Sequence, residues 1–253
     1  MTAQSASHLI RTISFDRAVD NYDATRSLPP KVMAEVVKGL SAALERRGCR
    51  RILDVGVGTG RFAFPLQDLR FHVIGVDVSV EMLKRARSKS VGSLAQGDAR
   101  RLPFKDKAFD AVLMNHVLHL IREWREALRE IRRVARSALF SVTAVFPEID
   151  SPQKAYEERL LKTGWPAIHP GMHERDLVNV IPPSESTFIV TNSDEKAADD
   201  LLERLEKRSY SFMWDVPEEV HREIMAGLRA DYAGKRVKSS RDLYISIWNV
   251  RQF

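Results

Sequence analysis

The sequence predicts an α/β fold, in which a doubly wound, mostly parallel sheet of seven strands has a helical insertion before the last strand. Two observations support this prediction. Short apolar runs typical of buried strands alternate with amphipathic helices as far as about residue 145, and parallel strands require such crossover connections. A glycine-rich turn also follows the first apolar run directly, and such turns often bring the backbone close to a ligand.

The elements of the first half follow in chain order. Residues 32–47 show the apolar spacing of a helix, which Gly48 ends. Ser79 is expected to cap a later helix, and another begins at Trp124 with its arginines on the polar face. Five strands are predicted among these helices, at residues 51–55, 71–76, 93–96, 109–115 and 138–145.

The alternation changes after Pro147. Short helices are predicted at 152–163 and from Glu174, and two further strands at 186–191 and 242–250. The helical patterns between these strands, at residues 195–234, predict an insertion over the face of the sheet. We expect this insertion to act as a lid over the substrate. We therefore expect a binding core with its N-terminal helices at residues 1–150. The remainder, 151–253, would complete the sheet and carry the insertion within the same overall domain.

Composition excludes several classes of protein. The chain has 253 residues and a single cysteine, Cys49, so it has no disulfide framework, and no Cys/His spacing indicates a metal site. No apolar run reaches the roughly 20 residues of a membrane helix, and no signal-peptide core is evident. We expect a soluble, cytoplasmic protein without a metal or a membrane partner. The sequence leaves the oligomeric state open.

Charge is distributed unevenly along the chain. Residues 1–140 carry 25 basic and 15 acidic side chains, a net of +10, whereas residues 141–253 carry 15 and 19, a net of −4. A basic half can attract nucleic acid or an anionic substrate. Many of the arginines, however, fall on the predicted polar face of the helix from Trp124. A solvated helix face is therefore the favoured interpretation.

The run Ile52-Leu-Asp-Val-Gly-Val-Gly-Thr-Gly60 carries the strongest local signal for a binding site. Its alternate glycines allow a sharp turn and a close ligand, and Asp77 follows Gly56 by 21 residues, where a carboxylate can bind both hydroxyls of a ribose. Nicotinamide-binding proteins share this spacing. Their third glycine, however, would fall at position 61, which is Arg61 here.

Further motifs distinguish these alternatives. Gln96-Gly-Asp-Ala99, Leu102-Pro-Phe104, Phe109-Asp110 and Val117-Leu-His-Leu-Ile121 follow in order after Gly75-Val-Asp-Val-Ser79. Over about residues 13–145 the chain resembles the class I S-adenosylmethionine-dependent methyltransferases, in particular the small-molecule group with quinone-ring and biotin-pathway methylases. The resemblance implies a Rossmann-like methyltransferase fold, with S-adenosylmethionine as cofactor and S-adenosylhomocysteine as product.

The resemblance also implies roles for individual residues. Asp54 and the loop with Gly56, Gly58 and Gly60 would hold the methionine portion of the cofactor, and Asp77 would hold the ribose. Tyr22 and Arg26 would close over the cofactor carboxylate or simply pack on the sheet. The adenine and the ammonium group would be met by Val78, Met82, Asp98, Ala99 and the backbone carbonyl of Asn115.

Candidates for chemistry on the methyl acceptor are the histidines after the fourth strand. His116 and His119 are candidate general bases, and His169 and His173 are candidate lining residues. A general base is needed only if the methyl acceptor must lose a proton, since transfer from a sulfonium is an in-line displacement that depends on positioning. An aromatic cluster would roof an apolar acceptor pocket or pack the inserted helices: Tyr210, Phe212 and Trp214.

Three functions follow from these observations. The first is methyl transfer to an O, N or C atom of a small molecule. The second is methylation of RNA or protein on the same core, and the third is a non-catalytic regulator that binds S-adenosylmethionine. The sequence Asn115-His-Val-Leu118 lacks the proline-rich tetrapeptide with which enzymes that methylate base amino groups follow this strand, which favours the first. Nucleic acid as a partner remains open, as does the identity of the acceptor.

Overall fold

A seven-stranded sheet forms the centre of the computed structural model, which describes residues 28–89, 91–146, 150–165 and 169–253. The strands are numbered in chain order, and from one edge of the sheet to the other they lie in the order β3-β2-β1-β4-β5-β7-β6. The α/β fold and the strand number are therefore confirmed. The strands β1 to β7 span Arg51–Val55, His72–Asp77, Ser93–Gln96, Phe109–Met114, Ala135–Val145, Glu185–Ala197 and Arg236–Asn249.

Helices connect the strands. Ser79 caps one of them as predicted, because its side chain accepts a hydrogen bond from the Met82 amide at 3.1 Å. The helices α1 to α8 span Pro30–Arg46, Ala63–Asp68, Val80–Ser88, Trp124–Val134, Pro152–Lys162, Glu174–Val180, Ala198–Glu206 and Glu218–Tyr232. Within the described ranges, no helix combines the length and apolar character that a membrane crossing requires.

The strand order reverses between β1 and β4. β1 pairs in parallel with β2 on one side and with β4 on the other, and β3 and β5 extend these two halves. The last two strands are antiparallel, since Ser186 contacts Ser246 whereas Ser193 contacts Ser240. In open α/β sheets, ligands bind beyond the carboxyl ends of the strands at such a reversal. This edge is therefore where a site is expected.

Alternating side chains of the strands enter two separate cores. Ile52 of β1 packs with Leu40 and Leu44 of α1, whereas the next residue, Leu53, packs with α4 residues such as Ile131 on the opposite face. Alternation with period two places successive residues on opposite faces of a strand. Helices on both faces bury all but Arg51 of β1 and all but Asp110 of β4, which explains their largely apolar sequence.

The boundaries of four predicted strands shift in the structure. β2 covers 72–77 rather than 71–76, and the final strands are longer than predicted, reaching 185–197 and 236–249. β5 begins at Ala135 rather than at 138, because the preceding helix already ends at Val134. Lys107 stabilises this early end, since its ammonium group donates to the carbonyls of Arg132 and Ala135. Basic groups at carbonyls of a helix C-terminus are favourable.

Two compact units divide the described chain. The first comprises residues within 28–144, 170–190 and 243–253, and the second residues within 145–169 and 191–242. The second unit has its own core, in which Tyr156 of α5 packs with Leu202 of α7 and Leu228 of α8. The helical insertion before the last strand is thus present, with α7 and α8 between β6 and β7. The single domain expected with a boundary at residue 150 stays a prediction.

Candidate functional site

A pocket opens in the first unit at the carboxyl ends of β1, β2, β3 and β4. The space between its lining residues, open solvent included, is about 650 Å³. Two carboxylates, Asp77 and Asp98, face a lining that is otherwise largely apolar. The lining residues are Val55, Gly56, Gly58, Val76, Asp77, Val78, Met82, Gly97, Asp98, Ala99, His116, Val117, Leu120 and Ile121.

The glycine-rich turn forms the floor of this pocket. Gly56 and Gly58 have φ angles of +69° and +54°, a left-handed region that glycine adopts without strain. The Gly56 amide donates to the Val76 carbonyl at 2.7 Å, which ties the turn to β2. A Cβ atom on Gly56 would lie 2.1 Å from Cγ2 of Val117, so the turn directly abuts the loop after β4.

Asp77 ends β2, as predicted, and supports the glycine turn. Its carboxylate accepts the Gly58 amide at 2.8 Å and the Ser79 amide at 2.9 Å, one on each oxygen. A carboxylate offers about four lone-pair sites. Asp77 therefore fixes the turn and retains acceptor capacity toward the pocket that it lines.

Asp98 lies in an ion-pair network that the sequence did not predict. The Arg100 guanidinium bridges its two oxygens, with Nη2 at 2.6 Å from Oδ2, and reaches Glu123 with Nη1 at 2.8 Å. The hydrogen bonds from Arg100 lower the pKa of Asp98 although partial burial opposes this. Asp98 is thus held ionised and oriented at the pocket wall.

Asp54 is buried and does not line the pocket. Its residue is 4% exposed, and burial raises the pKa of its carboxyl group to about 8, against the lowering effect of Arg61 and with a further rise from Asp77. A buried carboxyl group that resists ionisation is destabilising when it is charged. It marks the end of β1 as a site under electrostatic strain, which is common at functional sites.

The loop after β4 forms the opposite wall. Asn115 is buried, and its Oδ1 accepts the Val142 amide at 2.6 Å, while Nδ2 has no hydrogen-bond partner among the residues described. His116, next in the chain, is exposed and lines the pocket with a φ angle of +58°. A φ angle in this range is uncommon for residues other than glycine, and such conformations tend to occur at binding sites.

His119 faces away from the pocket lining into a buried cluster. Its Nδ1 lies 4.0 Å from Oε2 of Glu174, and its ring stacks on that of His173 with centroids 4.4 Å apart. Burial opposes ionisation of Glu174, but its electrostatic interaction with His119 outweighs burial and lowers its pKa to about 2. Burial, with a further effect of His119, lowers the pKa of His173 to about 4.

These three residues also form a set of the metal-ligand type. The possible ligand atoms of His119, His173 and Glu174 all lie within 4.8 Å of one another. The two imidazole planes, however, are only 11° from parallel, so their in-plane lone pairs do not converge on one point. Metal ligation requires such convergence, and the stacked arrangement does not provide it. The cluster is better explained as a packed, hydrogen-bonded support.

The predicted aromatic cluster lies in the second unit. Phe212 is 7% exposed and packs in that unit's core, with Tyr156 at 6.0 Å and His169 at 5.9 Å between ring centroids. The Trp214 indole donates to the Arg208 carbonyl at 3.0 Å, and Tyr210 stacks on Phe212. These contacts are those of core packing in the inserted helices, the second of the two predicted roles.

Sequence-based prediction and structure agree on much of the pocket. Eight predicted residues line it: Gly56, Gly58, Asp77, Val78, Met82, Asp98, Ala99 and His116. The predicted residues Asp54, Gly60, Asn115, His119 and His173 are not among the lining residues. Tyr22 and Arg26 lie outside the described residues.

Several site residues escaped prediction. They are Val55, Val76, Gly97, Val117, Leu120 and Ile121 in the lining, and Arg100 and Glu174 behind it. Gly97, Val117 and Ile121 belong to motifs that carried the resemblance, so a signal for them was present. Arg100 follows Asp98 by two residues, but nothing local indicates which charged neighbour pairs with it.

Comparisons with known proteins agree with this geometry. A family model described as a methyltransferase domain matches residues 53–138. The demethylmenaquinone methyltransferase of Streptomyces griseus is 33% identical over 124 residues, 48% of this chain and 54% of that protein. An uncharacterized protein of Methanocaldococcus jannaschii is 31% identical over 151 residues, 59% of this chain and 69% of that protein. The chain spans little more than half the length of several curated relatives it matches.

A solved structure shows the same fold. Magnesium protoporphyrin IX methyltransferase from Synechocystis, with bound SAH, aligns with a TM-score of 0.51 at 16% identity, over 92% of this chain and 95% of that chain. The sheet order reverses between β1 and β4, and the matched region includes the glycine turn, Asp77 and Asp98. The chain belongs to the class I S-adenosylmethionine-dependent methyltransferases.

Proposed function

We propose that this protein transfers a methyl group from S-adenosylmethionine to an O, N or C atom of a small molecule. The observation that carries the proposal is the pocket at the sheet reversal, where a glycine turn and two strand-end carboxylates meet an apolar lining. Such a site suits a ligand with ribose hydroxyls, an amino group and a cationic centre. It suits a phosphate-bearing dinucleotide poorly, because the carboxylates would repel phosphate.

The pocket residues fit the nucleoside half of this cofactor. Asp77 retains acceptor capacity for the two ribose hydroxyls beyond its bonds to Gly58 and Ser79. Val78 and Met82 offer apolar surface to the adenine, and Asp98 would accept its amino group while Arg100 holds the carboxylate in place. The Ala99 backbone would meet the ring edge.

The methionine half would lie along the glycine turn. Gly56 and Gly58 line the pocket, and the Asn115 carbonyl is proposed as an acceptor for the ammonium group. Asp54 and Gly60 lie outside the lining, so their proposed contribution is indirect: Gly60 shapes the turn, and Asp54 supplies negative potential behind it. A cation bound nearby would lower the pKa of Asp54 and favour its charged form.

The chemistry requires little from the protein beyond positioning. When bound, the cofactor supplies a methyl group already activated by the sulfonium. The chain binds and orients it, and apolar residues such as Leu120 and Ile121 exclude water from the reacting centre. His116 is the proposed general base, which would take a proton from the methyl acceptor, because it lines the pocket and is exposed. His119 has the support role described above and is a weaker candidate.

We propose that the methyl acceptor is an apolar or aromatic small molecule. Relatives of the chain include demethylmenaquinone methyltransferase and phosphatidylethanolamine N-methyltransferase, and both of these names refer to compounds with large apolar parts. The apolar stripe of the pocket wall at 117–121 is compatible with such a substrate. The prediction that residues 195–234 act as a lid over the acceptor stays a prediction.

Binding and turnover test the proposal separately. Calorimetry with S-adenosylhomocysteine should give one site per chain, and a radiolabelled methyl group should pass from S-adenosylmethionine to at least one member of a panel of quinols, phenols and amines. Binding without any transfer would favour the regulator. Transfer to bulk RNA with a steep dependence of affinity on salt would favour the nucleic-acid enzyme. Absence of cofactor binding by the folded chain would overturn the proposal.

A further inference from the structure

We infer that Glu174 is a positioning residue, which holds the 116–121 wall of the pocket in place from behind. It lies outside the pocket lining and would act through the backbone of Val117 and Leu118. The inference rests on the proposed function for its consequence in cofactor binding. The anchoring itself can be measured without any ligand.

The first support is the pair of hydrogen bonds to the wall. Oε1 of Glu174 accepts the Val117 amide at 2.8 Å and the Leu118 amide at 3.1 Å. These amides stand at the start of the short 3-10 helix Leu118–Leu120, where backbone donors have no partner within the helix. Glu174 is 7% exposed, so water cannot readily replace its carboxylate as the acceptor.

The second support is the tight approach of the same segment at Gly171. Its amide donates to the His119 carbonyl at 2.9 Å. A Cβ atom at position 171 would lie 2.2 Å from the carbonyl oxygens of both Leu118 and Ile121, and these are backbone atoms with little freedom to move. The segment from Gly171 to Glu174 therefore contacts the wall along its length, from 117 to 121.

The third support is that Glu174 stays charged although it is buried. Its Oε2 lies 4.0 Å from Nδ1 of His119. Burial opposes ionisation of Glu174, but the electrostatic interaction with His119, with smaller contributions from His116 and the Val117 amide, lowers its pKa to about 2. A charged acceptor gives stronger hydrogen bonds than a neutral one. Buried ionised groups are costly unless they are well paired, so this arrangement indicates a specific task.

The wall that Glu174 holds determines the width of the pocket. Val117 lies against Gly56 so closely that no side chain fits between them. His116, Leu120 and Ile121 line the pocket from the same loop. Displacement of the Val117 backbone would thus change the distance between the glycine turn and the opposite wall, where the methionine portion and the acceptor are proposed to meet.

Two conservative variants separate the effect of the length of the Glu174 side chain from the effect of its negative charge. Glu174→Asp keeps the charge but shortens the side chain by one methylene, so one carboxylate oxygen no longer reaches both amides. Glu174→Gln keeps the reach and one acceptor oxygen but loses the charge. Ser246→Ala is the matched control, since Ser246 is fully buried in the same unit and hydrogen-bonds Thr143 at 2.8 Å, away from the pocket lining.

Hydrogen exchange and calorimetry provide the two measurements. In Glu174→Asp, the Val117 and Leu118 amides should exchange about tenfold faster, and the dissociation constant of S-adenosylhomocysteine should rise about tenfold, the scale of a lost hydrogen bond to a charged group. Glu174→Gln should change both by about threefold, because a neutral acceptor forms weaker hydrogen bonds, and Ser246→Ala should change neither. With an acceptor in hand, the defect should appear in KM for the cofactor rather than in kcat.

Each outcome decides the inference. Unchanged exchange in Glu174→Asp, or a larger defect in Glu174→Gln than in Glu174→Asp, would overturn the anchoring role. Faster exchange with unaltered affinity would overturn the link between the anchor and the pocket. If the wild-type chain binds no S-adenosylhomocysteine, the proposed function fails, while the exchange measurement still decides whether Glu174 anchors the wall.

Discussion

The two walls of the pocket are built in different ways. The floor and one wall come from strand ends and the turns that follow them, and their key contact joins Gly58 to Asp77, 19 residues apart. The opposite wall, at 116–121, is held by Glu174, which lies 57 residues beyond Val117. The first wall is thus specified by a local motif, and we call it the local wall. The second depends on tertiary packing, and we call it the packed wall. Variants in each wall should therefore fail differently.

The largest effect is expected where the two walls touch. Gly56→Ala places a methyl group 2.1 Å from Val117 at a φ of +69°, so it adds a clash to backbone strain. We expect affinity for S-adenosylhomocysteine to fall about 100-fold, or about 2.7 kcal/mol, as measured by calorimetry. Gly48→Ala is the control, because Gly48 has a φ of +66° with nothing within 4 Å of the added atom. Equal affinities in the two variants would contradict the proposed contact.

A smaller loss is expected from the local wall alone. Asp77→Ala removes the acceptor for two amides and the proposed ribose contacts, so affinity for S-adenosylhomocysteine should fall about 30-fold, at about 1.5–3 kcal/mol for a charged hydrogen bond. Asp110→Ala also removes an acceptor for two backbone amides, those of Arg50 and Arg51, and should lose stability without losing affinity. If both variants bind normally, the ribose assignment is wrong.

Asp54, at the end of β1 behind the local wall, should make the free energy of unfolding depend on pH. Its folded pKa is raised from 3.8 to about 8, so between these values the folded chain holds a proton that the unfolded chain releases. Stability should therefore fall as pH rises, by about 1.4 kcal/mol per unit for an ideal group. Asp54→Asn should remove this slope between pH 5 and pH 7 in urea denaturation. Parallel slopes for the variant and the wild type would refute the buried, neutral carboxyl.

The smallest effect is expected at Asp98. Asp98→Asn weakens the pair with Arg100 and the proposed contact with the adenine amino group, so affinity for S-adenosylhomocysteine should fall about fivefold, or about 1 kcal/mol. An analogue with oxygen in place of that amino group should lose less affinity on mutation. Titration of both ligands against both proteins gives the comparison, and equal losses would argue against the contact.

The sequence predicted the local wall well and the packed wall poorly. Asp77 at the end of β2 and the cap at Ser79 follow from short-range rules, because a strand end and a helix start are set by neighbouring residues. Glu174 was placed only at the start of a short helix, since no periodicity connects it with Val117 across 57 residues. The exclusion of Asp54 from the pocket lining likewise depends on packing around the strand end, which a motif does not report.

The left-handed backbone of His116 has an evolutionary consequence. Glycine tolerates a φ of +58° better than histidine does, so a library selected only for thermal stability should replace histidine with glycine at this position. If histidine is instead retained under selection for turnover, its imidazole contributes more to activity than its backbone strain costs in stability. Selection for thermal stability and selection for turnover should therefore favour different residues at position 116.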